Sequence, residues 1–160
     1  MNDSGMAYSR KAYAYVTRPN GNGRQLLVFR EREAPEIGIQ VPKGGISTGE
    51  TPDRAVRREL REEAGLEHDR PVFHLASDRY RRDDGKRVAR HFFHFPIEET
   101  RDEWEHEVTG GGEDSGLIYE LFWKSLPLST QLAADMDTYV PLVHRNTTSR
   151  RPSASLPNSQ

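Results

Sequence analysis

The sequence predicts an α/β domain, and three observations carry that reading. A helix over 52–64 has a start and a stop that can both be read from its residues. Two pairs of extended segments, each joined by a Gly-containing turn with Asn or Asp, alternate their side chains with period two. The chain has 160 residues, which suits one domain with a sizeable core.

Met1 to Ser9 carries no periodic signal and is expected to be a loose arm, so the domain proper is placed at 10–145. Lys11 to Thr17 sets Tyr13 and Tyr15 against Ala12, Ala14 and Val16, a strand pattern. Asn20 to Gly23 is a turn, and Gln25 to Arg30 is the next strand, so the pair reads as a hairpin with a longer loop. Glu31 to Gly38 is a charged loop, and Ile39 to Val41 is a short extended piece. Gly44 and Gly45 after it permit close backbone approach.

The helix follows. Thr51 suits the N-cap, Pro52 the first helical position, and Asp53 the positive end of the helix dipole. Gly65 suits the left-handed position past the last turn. Val56, Leu60 and Ala64 form one apolar stripe.

Beyond it, Pro71 to Arg82 and Arg87 to Ile97 flank Asp83-Asp84-Gly85-Lys86 as a hairpin. In its second strand Ala89, His91, Phe93, Phe95 and Ile97 share the face expected in the core. Val88, Arg90, Phe92 and His94 share the other face, a candidate pocket lining. His91 and His94 fall on opposite faces, so they cannot chelate one metal and read as structural. Glu98 to Gly116 is acidic, contains three successive glycines, and is expected to be a long loop. Leu117 to Ser125 is a strand. Leu128 to His144 has apolar residues at helical spacing and is expected to be a final packing helix, with Pro141 inside it. Asn146 to Gln160 is polar and expected to be disordered.

Composition sets limits. The formal net charge of −2 provides no bulk attraction to nucleic acid or membrane. With no cysteine, disulfides, thiolate zinc sites and cysteine nucleophiles are excluded. No apolar run approaches a membrane span and no signal peptide is visible, so a cytoplasmic protein is expected.

Glu59, Glu62 and Glu63 lie on a face of the helix away from the apolar stripe. Three close carboxylates repel one another, by a few tenths of a kcal/mol per pair. A hard divalent cation would offset that cost, because Mg²⁺ takes oxygen ligands and keeps waters for phosphate substrates. On the helix alone, a solvated charged face is the commoner outcome of such a run.

A wider pattern sharpens the reading. Gly44, Glu50, Arg58-Glu59-Leu60, Glu62-Glu63 and Gly65-Leu66, at their spacings, resemble the Nudix box at every defining position. The resemblance implies a Nudix-like α/β/α sandwich on a mixed β-sheet. It implies hydrolysis of a pyrophosphate bond in a nucleoside diphosphate linked to another moiety, with Mg²⁺, or Mn²⁺ as a substitute. It makes Glu59, Glu62 and Glu63 metal ligands, with help from the Gly44 carbonyl, and makes Glu50 and Arg58 an orienting pair. In such enzymes the general base often lies outside the box. Glu113 and Glu120 are the candidates, with Glu98, Glu103 and Glu107 behind them.

For substrate contacts, Lys43, Arg10 and Lys11 are candidates for phosphate, and Tyr15 for stacking on a base, as are Tyr13, Tyr80, Phe92 and Tyr119. Gln40 to Ile46 resembles the loop before the box in dinucleoside polyphosphate hydrolases and RNA pyrophosphohydrolases, with Ile39 where the latter pattern has Trp. Three functions follow. The first is hydrolysis of a small nucleotide such as a dinucleoside polyphosphate. The second is removal of pyrophosphate from an RNA 5′ end, for which Arg79, Arg81, Arg82, Lys86, Arg87 and Arg90 offer a basic cluster. The third is a non-catalytic nucleotide-binding module, which the complete set of box carboxylates opposes.

Overall fold

The structure is a computed structural model that describes residues 8–143. The expectations for residues 1–7 and for the polar tail at 146–160 lie outside the described residues. Among the described residues, seven strands and one α-helix form a mixed sheet with a helix on one face.

The strands are β1 (Ser9–Asn20), β2 (Gly23–Glu31), β3 (Lys43–Gly45), β4 (Phe73–Arg81), β5 (Arg87–Pro96), β6 (Glu103–Glu107) and β7 (Ile118–Ser125). The helix α1 spans Pro52–Ala64. The strand order is β4-β5-β1-β2-β7-β6, with β3 paired on β1. β1 and β5 run parallel, and the other pairs are antiparallel. β1 is therefore the hinge of the architecture. It holds β5 along most of its length, β3 at Lys11–Tyr13 and β2 at Thr17–Asn20.

Alternation along β1 separates two cores. Ala12, Ala14 and Val16 pack under α1 with Phe29, Val56, Leu60, Phe93 and Phe95. Tyr13 and Tyr15 face the other way, with Leu26, Val28, Phe92, Leu132, Met136 and Val140. The small side chains lie under the helix because a helix needs close approach to the sheet, and the tyrosines fill the deeper layer beyond it.

The ends of α1 follow the sequence. Gly65 takes the left-handed conformation (φ 70°), and its N–H closes on the Arg61 carbonyl. Thr51 has extended N-cap geometry, although its side chain makes no capping hydrogen bond.

Several expectations are corrected. The β1–β2 loop is not long: Asn20 pairs with Gly23, leaving a two-residue turn. Gly21 at φ 60° supplies the positive φ that such a turn needs first. The segment 98–116 is not all loop, because Glu103–Glu107 pairs with β7. Its inward face has only Trp104 and His106, too short a pattern to stand out among glutamates.

Up to Pro141 the helix expected over Leu128 to His144 is absent, and only Leu142 and Val143 of its described part are helical. A 3₁₀ turn at Ala133–Asp135 and further turns replace it, with Ala134 and Asp135 at positive φ. Leu132, Met136, Val140 and Val143 are buried as their spacing suggested. The spacing recorded which residues meet the core, not the conformation that brings them there. This segment also covers the β5 face expected to line a pocket: Val88, Arg90, Phe92 and His94 are buried. Among the described residues no helix is long and apolar enough to cross a membrane.

Candidate active site

α1 presents Glu59, Glu62 and Glu63 to a cleft of about 440 Å³. β3 adds Lys43 and Gly44, β1 adds Lys11, the β4–β5 turn adds Arg82 and Lys86, and the loop before β7 adds Thr109, Gly112, Glu113 and Asp114. The helix, two strands, one turn and one loop thus build the site.

Glu59 and Glu63 are nearly covered, at 9% and 4% exposure. Burial pushes the Glu63 carboxyl up to about 8, against the charge of Lys43 and the Lys43 N–H, which donates to Oε1 at 3.0 Å. Burial also raises Glu59, with Arg58 acting in the opposite direction. Covered carboxylates with few donors carry a desolvation cost that a bound cation would relieve.

Arg58 ties the face together. Its Nε and Nη2 donate to the two oxygens of Glu50, both at 2.8 Å. Nη1 donates to Glu59 at 2.7 Å and to Glu62 at 3.2 Å, and Nη2 also reaches the Gly45 carbonyl at 2.8 Å. Arg58 holds Glu50 down to about 2, helped by the Ser47 N–H. The orienting pair implied by the box is therefore present as a forked ion pair.

Two glycines let backbone approach the carboxylates. A Cβ on Gly44 would lie 2.0 Å from the Glu59 carboxylate carbon. A Cβ on Gly110, itself at φ 103°, would lie 2.4 Å from that of Glu62. The C-terminal end of α1 is fastened by β6 and the loop after it. Trp104 Nε1 donates to the Ala64 carbonyl at 2.9 Å, and the Thr109 N–H donates to that of Glu62 at 3.1 Å. His106 Nε2 also meets the Glu62 carbonyl, at 3.1 Å.

The donor set fits a hard cation: three carboxylates, two of them buried and short of donors, beside a glycine whose missing side chain lets the backbone come close to Glu59. Among the described residues no three acidic or histidine side chains already converge on one point. Arg58 bridges Glu59 and Glu62 through one oxygen of each, Glu59 Oε2 and Glu62 Oε1, so each carboxylate has a second oxygen with which to meet a cation.

The other expected site residues divide. Lys43 lines the cleft, with Nζ donating to Gln40 Oε1 at 3.0 Å. Arg10 does not line it, because alternation along β1 sends its neighbour Lys11 there instead. Tyr15 is fully buried, and its hydroxyl donates to the Met136 carbonyl at 2.5 Å, so it has no face to offer a base. Tyr13 stacks on Phe92 and Tyr119 on Phe29, with ring centroids 4.6 Å and 3.9 Å apart. Both belong to the core. Glu113 lines the cleft, whereas Glu120 lies in a separate groove with Glu103 and Trp104 and meets Arg32 at 3.4 Å. His91 meets the Ser77 hydroxyl at 2.8 Å and His94 that of Thr17 at 2.7 Å, as structural histidines do.

The basic cluster around the β4–β5 turn also divides. Arg90 is buried on Asp78, with a shortest contact of 2.7 Å. Arg79 and Arg87 lie over the Tyr8 ring. Arg82 and Lys86 alone of that cluster reach the carboxylate cleft. The sequence marked these residues as basic but contained no sign that they share a cleft with the box.

Comparison with known proteins agrees with this fold. The NUDIX domain model matches residues 8–142. An RNA pyrophosphohydrolase of Vibrio vulnificus is 54% identical over 53 residues, which span 33% of this chain and only 30% of that relative. The NUDIX domain of Shewanella oneidensis NrtR, crystallised with ADP ribose, superposes with a TM-score of 0.63 at 14% identity, over 90% of this chain and 89% of that one. A MutT NUDIX hydrolase from Burkholderia pseudomallei superposes with a TM-score of 0.62 at 20% identity, over 86% of this chain and 98% of that one. At these identities the structural likeness is one of fold.

Proposed function

We propose an activity from one premise: this chain belongs to the NUDIX domain family, whose model it matches over residues 8–142. The activity is metal-dependent hydrolysis of a pyrophosphate bond in a nucleoside diphosphate linked to another moiety. One observation carries it. The buried carboxylates Glu59 and Glu63 share a cleft with Glu62 and with the cations Lys11, Lys43, Arg82 and Lys86, and Arg58 and Glu50 hold the face in place.

Hydrolases of this family generally use a divalent metal, and we assign Mg²⁺, replaceable by Mn²⁺. Glu59, Glu62, Glu63 and the Gly44 carbonyl would hold it. Once bound, the cation neutralises phosphate charge and makes an attacking water more acidic. Arg58 sets the directions of Glu59 and Glu62, as ligating carboxylates require. Two carboxylates outside the box line the cleft, Glu113 and Asp114; Asp114 accepts the Tyr119 hydroxyl at 3.2 Å, and we assign Glu113 to accept the proton of the water. Lys43 places a compact positive charge beside the substrate phosphates. The intact set of carboxylates speaks against a module that binds nucleotides without turning them over.

Two substrate classes share this chemistry. The loop before the box supports a dinucleoside polyphosphate. The Vibrio vulnificus relative, named an RNA pyrophosphohydrolase, supports an RNA 5′ end. A chain without cysteine suits the reducing cytoplasm, the compartment we assign. The test is a hydrolysis panel of ADP-ribose, diadenosine tetraphosphate and 5′-triphosphorylated RNA, with Mg²⁺, with Mn²⁺ and with chelator. Turnover that requires the divalent ion and releases phosphate-containing products is expected. Turnover of none of them with either ion sinks the hydrolase reading.

A further inference from the structure

Three cations lie in the carboxylate cleft without belonging to the box or to β3. Lys11 comes from β1, and Arg82 and Lys86 flank the tip of the β4–β5 hairpin. The parallel register of β1 on β5 brings these two elements together: Ser9 pairs with Val88 and Arg10 with Ala89, so Lys11 sits near the base of the turn.

Lys11 is partly buried, yet among the described residues its ammonium has no hydrogen-bond or ion-pair partner. Its pKa is lowered first by that burial, then by the charges of Lys43 and Arg82, with Asp114 and Glu63 acting weakly the other way. Among the described residues the Lys86 ammonium makes no hydrogen bond or close ion pair; it and Arg82 both act on the exposed carboxylate of Asp84, which Arg82 meets at 3.2 Å. Covering an unpaired cation and surrounding it with like charges costs stability. A cleft that keeps such a group gains from an anion that enters it.

The charge of a cation on the carboxylates would be largely taken up by the carboxylates that hold it, so the phosphates of a substrate need other positive groups. Lys43 lies beside the box, and Lys11, Arg82 and Lys86 extend the run of positive charge past it. We propose that Lys11, Arg82 and Lys86 form an anion seat beside the box carboxylates that selects substrates carrying three or more linked phosphates. This rests on the hydrolase reading for its consequence in turnover, but its binding arm stands apart from catalysis. The shared chemistry is a linear polyphosphate, whether from a dinucleoside polyphosphate or from an RNA 5′-triphosphate.

The binding arm titrates the full chain calorimetrically with inorganic tripolyphosphate and with pyrophosphate, in Mg²⁺ at low ionic strength. The wild type should prefer tripolyphosphate by at least about tenfold. R82A/K86A changes only hairpin-tip side chains, and K11M keeps the apolar stem of Lys11. Each should reduce the preference to less than about threefold, with an unchanged thermal melt. No preference in the wild type, or an equal preference in the variants, overturns the seat.

The hydrolysis arm compares kcat/KM for diadenosine tetraphosphate and 5′-triphosphorylated RNA with that for ADP-ribose. The ratio of long to short should fall about tenfold in R82A/K86A, chiefly through KM. The long substrate that loses more identifies the source of the polyphosphate. A protein that shows the binding preference but cleaves nothing keeps the seat and sinks the hydrolase reading. A protein that cleaves the panel with an unaltered ratio keeps the hydrolase reading and sinks the seat.

Discussion

Arg58 and Glu50 form a forked ion pair, Nε to Oε2 and Nη2 to Oε1, each at 2.8 Å. The same guanidinium also holds Glu59 and Glu62 through Nη1. Glu50 therefore acts on the carboxylate face at one remove, by fixing the residue that aims it. An ammonium cannot reproduce this, because it lacks the planar fork. Arg58→Lys is expected to lower kcat by about 10–100-fold, the usual cost of losing a partner that orients ligands. Equal loss in Glu50→Gln would agree with one shared role. Wild-type turnover in both variants would show that the pair does not set the geometry.

Gly44 leaves no room for a side chain, since its Cβ would fall 2.0 Å from the Glu59 carboxylate carbon. The carboxylate is the mobile end of its side chain, so it can swing away at small cost to the fold. Gly44→Ala should therefore lower activity by about a hundredfold while moving the melting temperature little. A large drop in melting temperature with intact turnover would contradict this division.

Glu63 contributes a pH dependence to the stability of the metal-free protein. Burial raises its pKa from the ordinary 4.5 to about 8. The folded pKa lies above the unfolded one, so its contribution is full at low pH and is lost as pH rises through about 8. With chelator present, wild-type stability should fall relative to Glu63→Gln between about pH 4.5 and about pH 8 and level off above that. A divalent ion should narrow the gap, and the variant should turn over at least ~10²-fold more slowly. Parallel melting curves across that range would argue against a buried, ionising carboxylate.

Tyr15 tests the correction to the substrate contacts. Its hydroxyl bonds the Met136 carbonyl at 2.5 Å and accepts the Tyr139 N–H at 3.3 Å, which fastens the segment after β7 to the sheet. Tyr15→Phe should cost about 1–3 kcal/mol in denaturant unfolding, because it leaves buried partners unsatisfied. KM should remain that of the wild type. A raised KM without loss of stability would return Tyr15 to the substrate.

The helix and its chemistry were legible because both are local. Pro52, Gly65 and the spacing of Glu59, Glu62 and Glu63 lie within a few turns, and the helical repeat alone decides which side chains share a face. Alternation in β1 likewise divided the tyrosines from the alanines correctly. The turns replacing the expected last helix were not legible, since a buried spacing is compatible with more than one backbone path. Nor was the strand Glu103–Glu107, whose buried face has two residues.

The sequence by itself determined which three carboxylates share a helix face and the family to which the chain belongs. The tertiary structure alone decided that Lys11, Arg82 and Lys86 join that face, that Arg10 and Tyr15 do not, and that Glu113 rather than Glu120 enters the cleft. The reason is register. The parallel pairing of β1 with β5, and the covering of one sheet face by the segment after β7, bring together residues far apart in the chain, and no local repeat encodes those pairings.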